Sequence, residues 1–346
     1  MAYENFIVPN TYWEYVLGQR RASFINDYYK KNKNYPSEDA LKDVALTTEE
    51  KEQYKRIFYA QYKATGISPS EPNTPQEPEE PIIPPVSDEE ETPVIPQINL
   101  MEQNWLELPS MNNPDLEYYC HSFEMNNEVF RNYSFGFSKK DMLSHWVAYP
   151  LNKMYIEGGY RTNAWGGIDP LLGPNESPVF FDTLYRPYVR GHMMSSAHRG
   201  CCYESNAQCF YGTNIIPQDA DHNSGINILH ERKVRDIALN SDECYVIVGV
   251  LTKNSTEIAY DSYRKPVTVP THIYRIALSY LSNSDKWNVF CVLTENRGYT
   301  TEEASLCYYT IKELEHITGI EFFTNLKEQV GEEKYNEIKN QASERL

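Results

Sequence analysis

Apolar positions along the chain fall into three stretches of different texture. Over residues 3–65 they recur at helical spacing. Asn10 or Thr11 can cap a first helix whose apolar side carries Trp13, Val16, Leu17, Phe24, Tyr28 and Tyr29. Ser37 can open a short helix. Thr48 can cap a later one, with Tyr54, Ile57, Phe58 and Tyr62 as its stripe and Gly66 as its stop. Residues 1–66 therefore predict a small all-α module. The pattern then vanishes. Residues 69–96 hold nine prolines, no Lys or Arg, and acids at Glu77, Glu79, Glu80 and 88–91. Proline fixes φ and removes a donor, and like charges repel, so residues 67–100 read as an extended, solvated Pro/Glu-rich linker.

From 101 to 346 apolar runs alternate with turn signals. They predict strands near 129–137, 144–149, 208–215, 244–252, 267–280 and 286–294, and helices over about 224–239, 309–317 and 325–344. Strands and helices mix without regular βα alternation. That predicts an α+β domain over 101–346 rather than a doubly wound sheet.

Charge sharpens this division. The 346 residues carry a net charge of -17, of which residues 66–100 supply -8 while residues 1–65 are close to neutral at +1. Such a balance excludes a generally basic nucleic-acid coat, so any polyanion site must gather a few arginines locally. No run of 18 apolar residues is present, which predicts no membrane span. The start, Met1 to Phe6, shows neither a basic nor an apolar signal region. The expectation is a chain that is cytoplasmic in its producer or delivered by a non-Sec route such as a virion or secretion system. Seven cysteines cannot all pair within one chain, so reduced thiols are expected.

The chemistry concentrates between Arg190 and Arg235. Arg190 and His192 flank Gly191 after an extended segment, and the i, i+2 alternation puts both side chains on one side. A helix is expected to start near Asn223. Spacing by four then places Asn223, Asn227, Glu231 and Arg235 on one helical face. An amide, an amide, a carboxylate and a guanidinium make a poor core stripe, and such faces are usually just solvated. They also offer oxygen ligands for a hard cation beside a phosphate-binding fork. With a histidine base, these are the parts that phosphodiester hydrolysis uses. His198, Cys201, Cys202 and Cys209 could suggest zinc, but adjacent cysteines suit no ordinary zinc-knuckle spacing, and buried thiols are the simpler expectation. His222 and His230 read as incidental neighbours of the motif.

The ordered segments Val189-Arg190-Gly191-His192, Thr213-Asn214-Ile215-Ile216-Pro217-Gln218, Asn223-Ser224-Gly225 and Glu231 with Arg235 resemble the DNA/RNA non-specific endonuclease family. This is the ββα-metal superfamily that includes relatives of the Serratia nuclease and endonuclease G. Gln208-Cys209-Phe210-Tyr211 and Glu315 through Phe323 also look like that family, so the resemblance spans about 120–326. It implies a ββα-metal core on a mixed or antiparallel sheet, and a sequence-non-specific endonuclease acting on DNA, RNA or both. The roles it implies are His192 as general base and Asn223 as the one direct protein ligand to Mg²⁺, with Mn²⁺ as a substitute. Glu231 would hold metal-bound water, Arg190 and Arg235 would clamp charge or shape the site, Arg161 would contact phosphate, and Asn214 would orient the site. Members of the family often dimerise, so a homodimer is among the implied partners. The sequence departs where Val189 replaces the family's leading Asp, removing a carboxylate beside the histidine. Ile226 and Asn227 stand where an aromatic is usual, and His230 precedes Glu231 where the family has Leu. The alternative implied by these departures is a catalytically decayed nuclease fold serving as a nucleic-acid-binding or structural component. The helical module and linker suggest a delivery, virion or regulatory partner that engages residues 1–66.

Overall fold

A computed structural model describes Trp13, Leu17 and residues 44–65, 97–172, 176–180, 184 and 187–346. The chain divides into two compact units, Met1–Pro96 and Gln97–Leu346. In the first, Trp13 and Leu17 are helical, and helix α1 runs over Thr48–Thr65. Its cap is Thr47 rather than the expected Thr48. The Thr47 hydroxyl accepts from Glu50 N at 3.1 Å, and Thr47 N donates back to Glu50 Oε2 at 2.8 Å, a reciprocal box that satisfies two end donors. The expected caps at Asn10, Thr11 and Ser37, the stop at Gly66 and residues 67–96 of the expected linker 67–100 lie outside the described residues, while residues 97–100 belong to the second unit, where Leu100 is buried. Among the described residues no helix is long and apolar enough to cross a membrane.

The second unit is built on a six-stranded sheet. Its strands are β1 (Glu117–Met125), β2 (Glu128–Ser138), β3 (Leu143–Pro150), β6 (Glu243–Leu251), β9 (His272–Leu281) and β10 (Lys286–Glu295), in that spatial order and antiparallel throughout. Between β3 and β6 the chain forms the short helix α2 (Lys153–Ile156) and strand β4 (Tyr188–His192). It continues as helix α3 (Tyr203–Ala207), strand β5 (Ile215–Asp219) and helices α4 (Ala220–Ser224) and α5 (Ile226–Leu239). β4 and β5 pair as a separate two-stranded ribbon. Two short strands, β7 (Ile258–Tyr260) and β8 (Pro266–Thr268), pair between β6 and β9. The carboxy-terminal part adds α6 (Thr301–Ala304), α7 (Ile311–Thr318), α8 (Leu326–Val330) and α9 (Glu332–Lys339). The arrangement is α+β, as expected.

Alternation along the strands gives the sheet two interior faces. One carries Trp146, Ile247, Tyr274, Ile276 and Val289, and packs against Ile311, Leu314, Phe322 and Ile338 of the carboxy-terminal elements. Phe322 and Phe323, from the segment that resembles the family's carboxy-terminal signature, are fully buried there. Gly319 ends α7 at φ 73 in the left-handed region, which turns the chain so that both rings point inward. The opposite face carries Val147, Tyr149, Val246, Val248, Arg275 and Ala277, all buried. Helix α5 packs over β6 and β9 on this side.

Several expected elements are interrupted. The apolar run 208–215 is not a strand. It forms 3-10 turns at Gln208–Phe210 and Gly212–Asn214 before β5 begins. Its polar side chains are spent on buried carbonyls: Gln208 Nε2 donates to Ser122 O at 2.8 Å, and a Cβ on Gly212 would meet Pro178 O at 1.8 Å. The helix over 224–239 breaks at Gly225, so the expected single face from Asn223 to Arg235 is two pieces, with Asn223 on α4 and Asn227, Glu231 and Arg235 on α5. The strand over 267–280 is cut after Thr268, where Pro270 has no amide to donate to a ladder. The helix over 325–344 is cut at Gly331, whose φ of 78 no helix accommodates. Strand β1 was missing from the sequence expectation because its interior positions include His121 and Ser122, both buried polar residues that mask the apolar pattern.

We propose that residues 97–346 fold on their own. Gln97 Nε2 donates to Leu171 O at 3.4 Å, and Asn99 caps a 3-10 turn that buries Leu100 beside Leu108 and Cys120. A chain starting at Gln97 is therefore expected to unfold in urea with the same midpoint as the corresponding transition of the full chain. One starting at Met101 forfeits the burial of Leu100 and should lose about 1.5–3 kcal/mol. Equal stability of the two truncated chains would place the boundary after Leu100.

Candidate functional site

The site begins with β4 and its register on β5. Arg190 lies opposite Pro217, Gly191 opposite Ile216 and His192 opposite Ile215. A Cβ on Gly191 would meet Gln218 Oε1 at 2.0 Å and Gln218 Cβ at 2.5 Å, so no larger residue fits between the two strands. Gln218 cannot swing away cheaply. It is buried, and its Nε2 donates to His222 Nδ1 at 2.6 Å. His222 Nε2 in turn donates to Thr294 Oγ1 at 2.8 Å, which anchors the ribbon to β10 of the main sheet.

Alternation on β4 sends Arg190 and His192 to the same side, and both meet Trp165. The Arg190 guanidinium lies 3.8 Å from the centre of the Trp165 ring and its Nη1 donates to Phe180 O at 3.3 Å. The His192 ring packs edge-on against Trp165 and Phe210, with centroids 5.1 Å away in each case. Trp165 and Phe210 themselves meet at 4.7 Å. His192 Nε2 is withdrawn from solvent with no hydrogen-bond partner. Burial, then the charges of Arg161 and Arg190, push its pKa down to about 3, so the imidazole is neutral across the ordinary pH range. Val189, where the family has Asp, lies half-buried opposite Gln218. The histidine is held by two aromatic edges rather than by a carboxylate.

Asn214 fixes the chain just beyond His192. Its Oδ1 accepts from Met194 N at 2.8 Å, and its Nδ2 donates to Met194 O at 2.9 Å and Cys209 O at 2.8 Å. Both ends of its buried amide are thus bonded inside the protein, which fits an orienting role. Arg161 is exposed, but its backbone is pinned on both sides: Tyr160 N donates to Gly200 O at 3.1 Å and Thr162 N to Asn206 Oδ1 at 2.7 Å. The result is an exposed guanidinium on a fixed stem, whose charge reaches His192.

On the other wall, Asp219 ends β5 and caps α4 by accepting from Asp221 N and His222 N at 3.0 Å each. This places Asn223 on a short helix directly after the ribbon. Asn223 is half-buried, and its amide makes no hydrogen bond among the described residues. On α5, Asn227 Nδ2 donates to Glu231 Oε1 at 3.0 Å. Arg235 is half-buried one turn further, close enough for its charge to act on His198. Among the described residues no three His, Cys, Asp or Glu side chains gather into a metal cluster. The amide oxygen of Asn223 and the carboxylate of Glu231 are donors that would suit a hard cation that keeps most of its water.

His198 does not turn toward the cysteines. Its Nδ1 accepts from the Tyr149 hydroxyl and its Nε2 donates to Glu231 O, both at 3.1 Å. All seven cysteines are free thiols, and Cys201 Sγ lies 3.2 Å from Ser205 Oγ. The residues that sequence reasoning missed are Trp165, Phe210 as a histidine contact, and Arg275. The first two look like core aromatics in sequence, and Arg275 sits alone in an apolar strand.

The sequence profile of DNA/RNA non-specific endonucleases matches residues 115–329, more than half of the chain and all of the site just described. The chain belongs to the DNA/RNA non-specific endonuclease family. Human mitochondrial nuclease EXOG is 25% identical over 209 residues, covering 57% of this chain and 56% of that protein. A nuclease of Nostoc sp. is 23% identical over 223 residues, covering 58% of this chain and 74% of its own length. A chain of the solved EndoG/EndoGI complex aligns with a TM-score of 0.44 and 19% identity over 59% of this chain and 86% of that chain. The chain spans little more than half the length of the mitochondrial nuclease. The family pattern thus falls on the β4–β5 ribbon and the α4–α5 segment that follows it.

The site carries a built-in acid sensitivity. Burial depresses His192 and His230 to about 3 and His222 to about 4, and holds His198 well below its usual value. A histidine whose folded pKa lies below its unfolded value near 6.5 stabilises the fold above that value, and the contribution is lost as pH falls toward the folded pKa. The urea midpoint is therefore expected to decline steadily from about pH 6.5 to about pH 4. A midpoint that stays flat across that window would show that these rings are not buried in the neutral form.

Proposed function

We propose that residues 97–346 form a metal-dependent, sequence-non-specific endonuclease that hydrolyses phosphodiester bonds of DNA and RNA. The observation that carries this reading is His192: a neutral imidazole with an unpartnered Nε2, locked between two aromatic edges and flanked by two arginines. A neutral imidazole keeps one ring nitrogen unprotonated and able to accept. It suits a base that takes a proton from an attacking water.

The remaining residues divide the work. Asn223 would hold a hard divalent cation, Mg²⁺ or Mn²⁺, through its amide oxygen, and Glu231 would accept hydrogen bonds from the water around that ion. Bound there, the cation would neutralise charge building on the phosphate. Arg161, exposed on a pinned stem, would meet the incoming phosphate. Arg190, fixed on Trp165, supplies a standing positive charge beside His192 and helps keep the ring deprotonated. Arg235 shapes the far wall. Water attacks phosphorus as the neutral His192 imidazole takes its proton, the P–O bond to the leaving sugar oxygen breaks, and that oxygen takes a proton from solvent. A decayed site is disfavoured because the replacement of the family Asp by Val189 leaves the histidine held by other means.

Supercoiled plasmid and a folded RNA should both be degraded in Mg²⁺ or Mn²⁺ and left intact in excess chelator. His192→Ala should lower turnover by about 10²–10⁴-fold. Asn223→Ala should instead raise the metal concentration needed, with partial rescue by added Mg²⁺. Undiminished cutting in chelator, or a folded His192→Ala chain at near-wild-type rate, would refute the assignment.

A further inference from the structure

The interior face of β9 carries one charge. Arg275 is 2% exposed and is flanked in register by Val248 of β6 and Val292 of β10. Taking a guanidinium out of water is unfavourable, and apolar side chains of similar volume usually serve a core at least as well. Its position under α5 therefore calls for a reason other than packing.

The contacts supply one. Arg275 Nη2 donates to Asn227 Oδ1 at 3.1 Å and lies 3.8 Å from Glu231 Oε1. A guanidinium has no acceptor, so the amide oxygen of Asn227 must face Arg275. That leaves the Asn227 amide nitrogen pointing at Glu231, where it donates to Oε1 at 3.0 Å. The arginine thus sets the orientation of the asparagine, and the asparagine sets that of the carboxylate. His198 fixes the same residue from its other side by donating to Glu231 O. With Oε1 occupied, Oε2 is the oxygen without a protein partner among the described residues.

We infer that Arg275 is a positioning residue for the cation site: through Asn227 it holds Glu231 with Oε2 presented to the water around the ion. This rests on the nuclease reading of Asn223 and Glu231. Arg275 touches neither substrate nor metal. Its Nη1 is buried without a hydrogen-bond partner, so its pairing with Asn227 and Glu231 is what answers its charge.

The test uses the full chain and Mn²⁺ as the probe, with binding followed by electron paramagnetic resonance and folding by circular dichroism. Arg275→Met is expected to fold and to weaken Mn²⁺ binding by about 10–100-fold, the usual effect of losing a partner of a metal-site residue. Arg275→Lys keeps a charge but cannot span Asn227 and Glu231 together, so it should weaken binding by less. It carries the test if the Met variant does not fold. The readout separating positioning from general stability is coupling: on a Glu231→Gln background, Arg275→Met should change Mn²⁺ affinity little further. Wild-type Mn²⁺ affinity in either folded variant, or an undiminished effect of Arg275→Met on that background, would overturn the proposal. Plasmid cutting by the wild-type chain is scored in parallel. Failure of wild type both to bind Mn²⁺ and to cut would overturn the reading of the site, and this proposal with it.

Discussion

The register between β4 and β5 is the constraint on which the site depends. Side chains on a strand alternate with a period of two, so a slip by one residue would turn His192 and Arg190 to the opposite side together. Gly191 sets the register by sterics, since only a residue without Cβ can lie over Gln218. The pairing then acts in two directions. Gln218 ties the ribbon through His222 to Thr294 of the main sheet, and Asp219 at the end of β5 starts α4 with Asn223 on it. The proposed base and the candidate cation ligand are thus set by one pairing.

A polar site built against the apolar face of a sheet must satisfy its own buried groups. Asn214 does so completely, using every amide bond it has on Met194 and Cys209. His198 and Asn227 each bridge two neighbours, and both end on Glu231. His192 is one departure from this economy, beside the unpartnered Gln218 Oε1, His230 Nε2 and Arg275 Nη1. Its ring is enclosed by Trp165 and Phe210, and its Nε2 is left alone. The same burial that leaves the nitrogen unpartnered also keeps it unprotonated, so packing and chemistry at this residue have one cause.

Much of this was legible in the sequence, and the parts that were not share a physical reason. The Arg-Gly-His order and the strand patterns around 144–149, 244–252 and 286–294 depend on local periodicity and local geometry. Those survive in any context. The misreadings occur where a tertiary contact overrides the local pattern. Gln208 and Asn214 spend their side chains on the carbonyls of Ser122 and Met194, outside the run, which turns an apolar run into buried 3-10 turns. Gly225 breaks a helix whose polar spacing continues smoothly through it, so four residues that look like one face lie on two helices. Trp165 and Arg275 join the site from elements 27 residues before and 83 residues after His192, and no spacing rule reaches that far.

The central claim is that His192 acts as a base in its neutral form, and the pH dependence of kcat/KM tests it most directly. This parameter reports groups of the free enzyme, in which burial and two arginines place His192 near 3. Protonation removes the lone pair, so activity is lost as pH falls through that value and is insensitive to this residue above it. The account predicts that wild type, at saturating Mg²⁺ and while still folded, shows no acidic limb attributable to a histidine near 6.5. It also predicts that any limb found well below that value disappears in His192→Ala. An acidic limb that keeps the same position in a folded His192→Ala chain would contradict it.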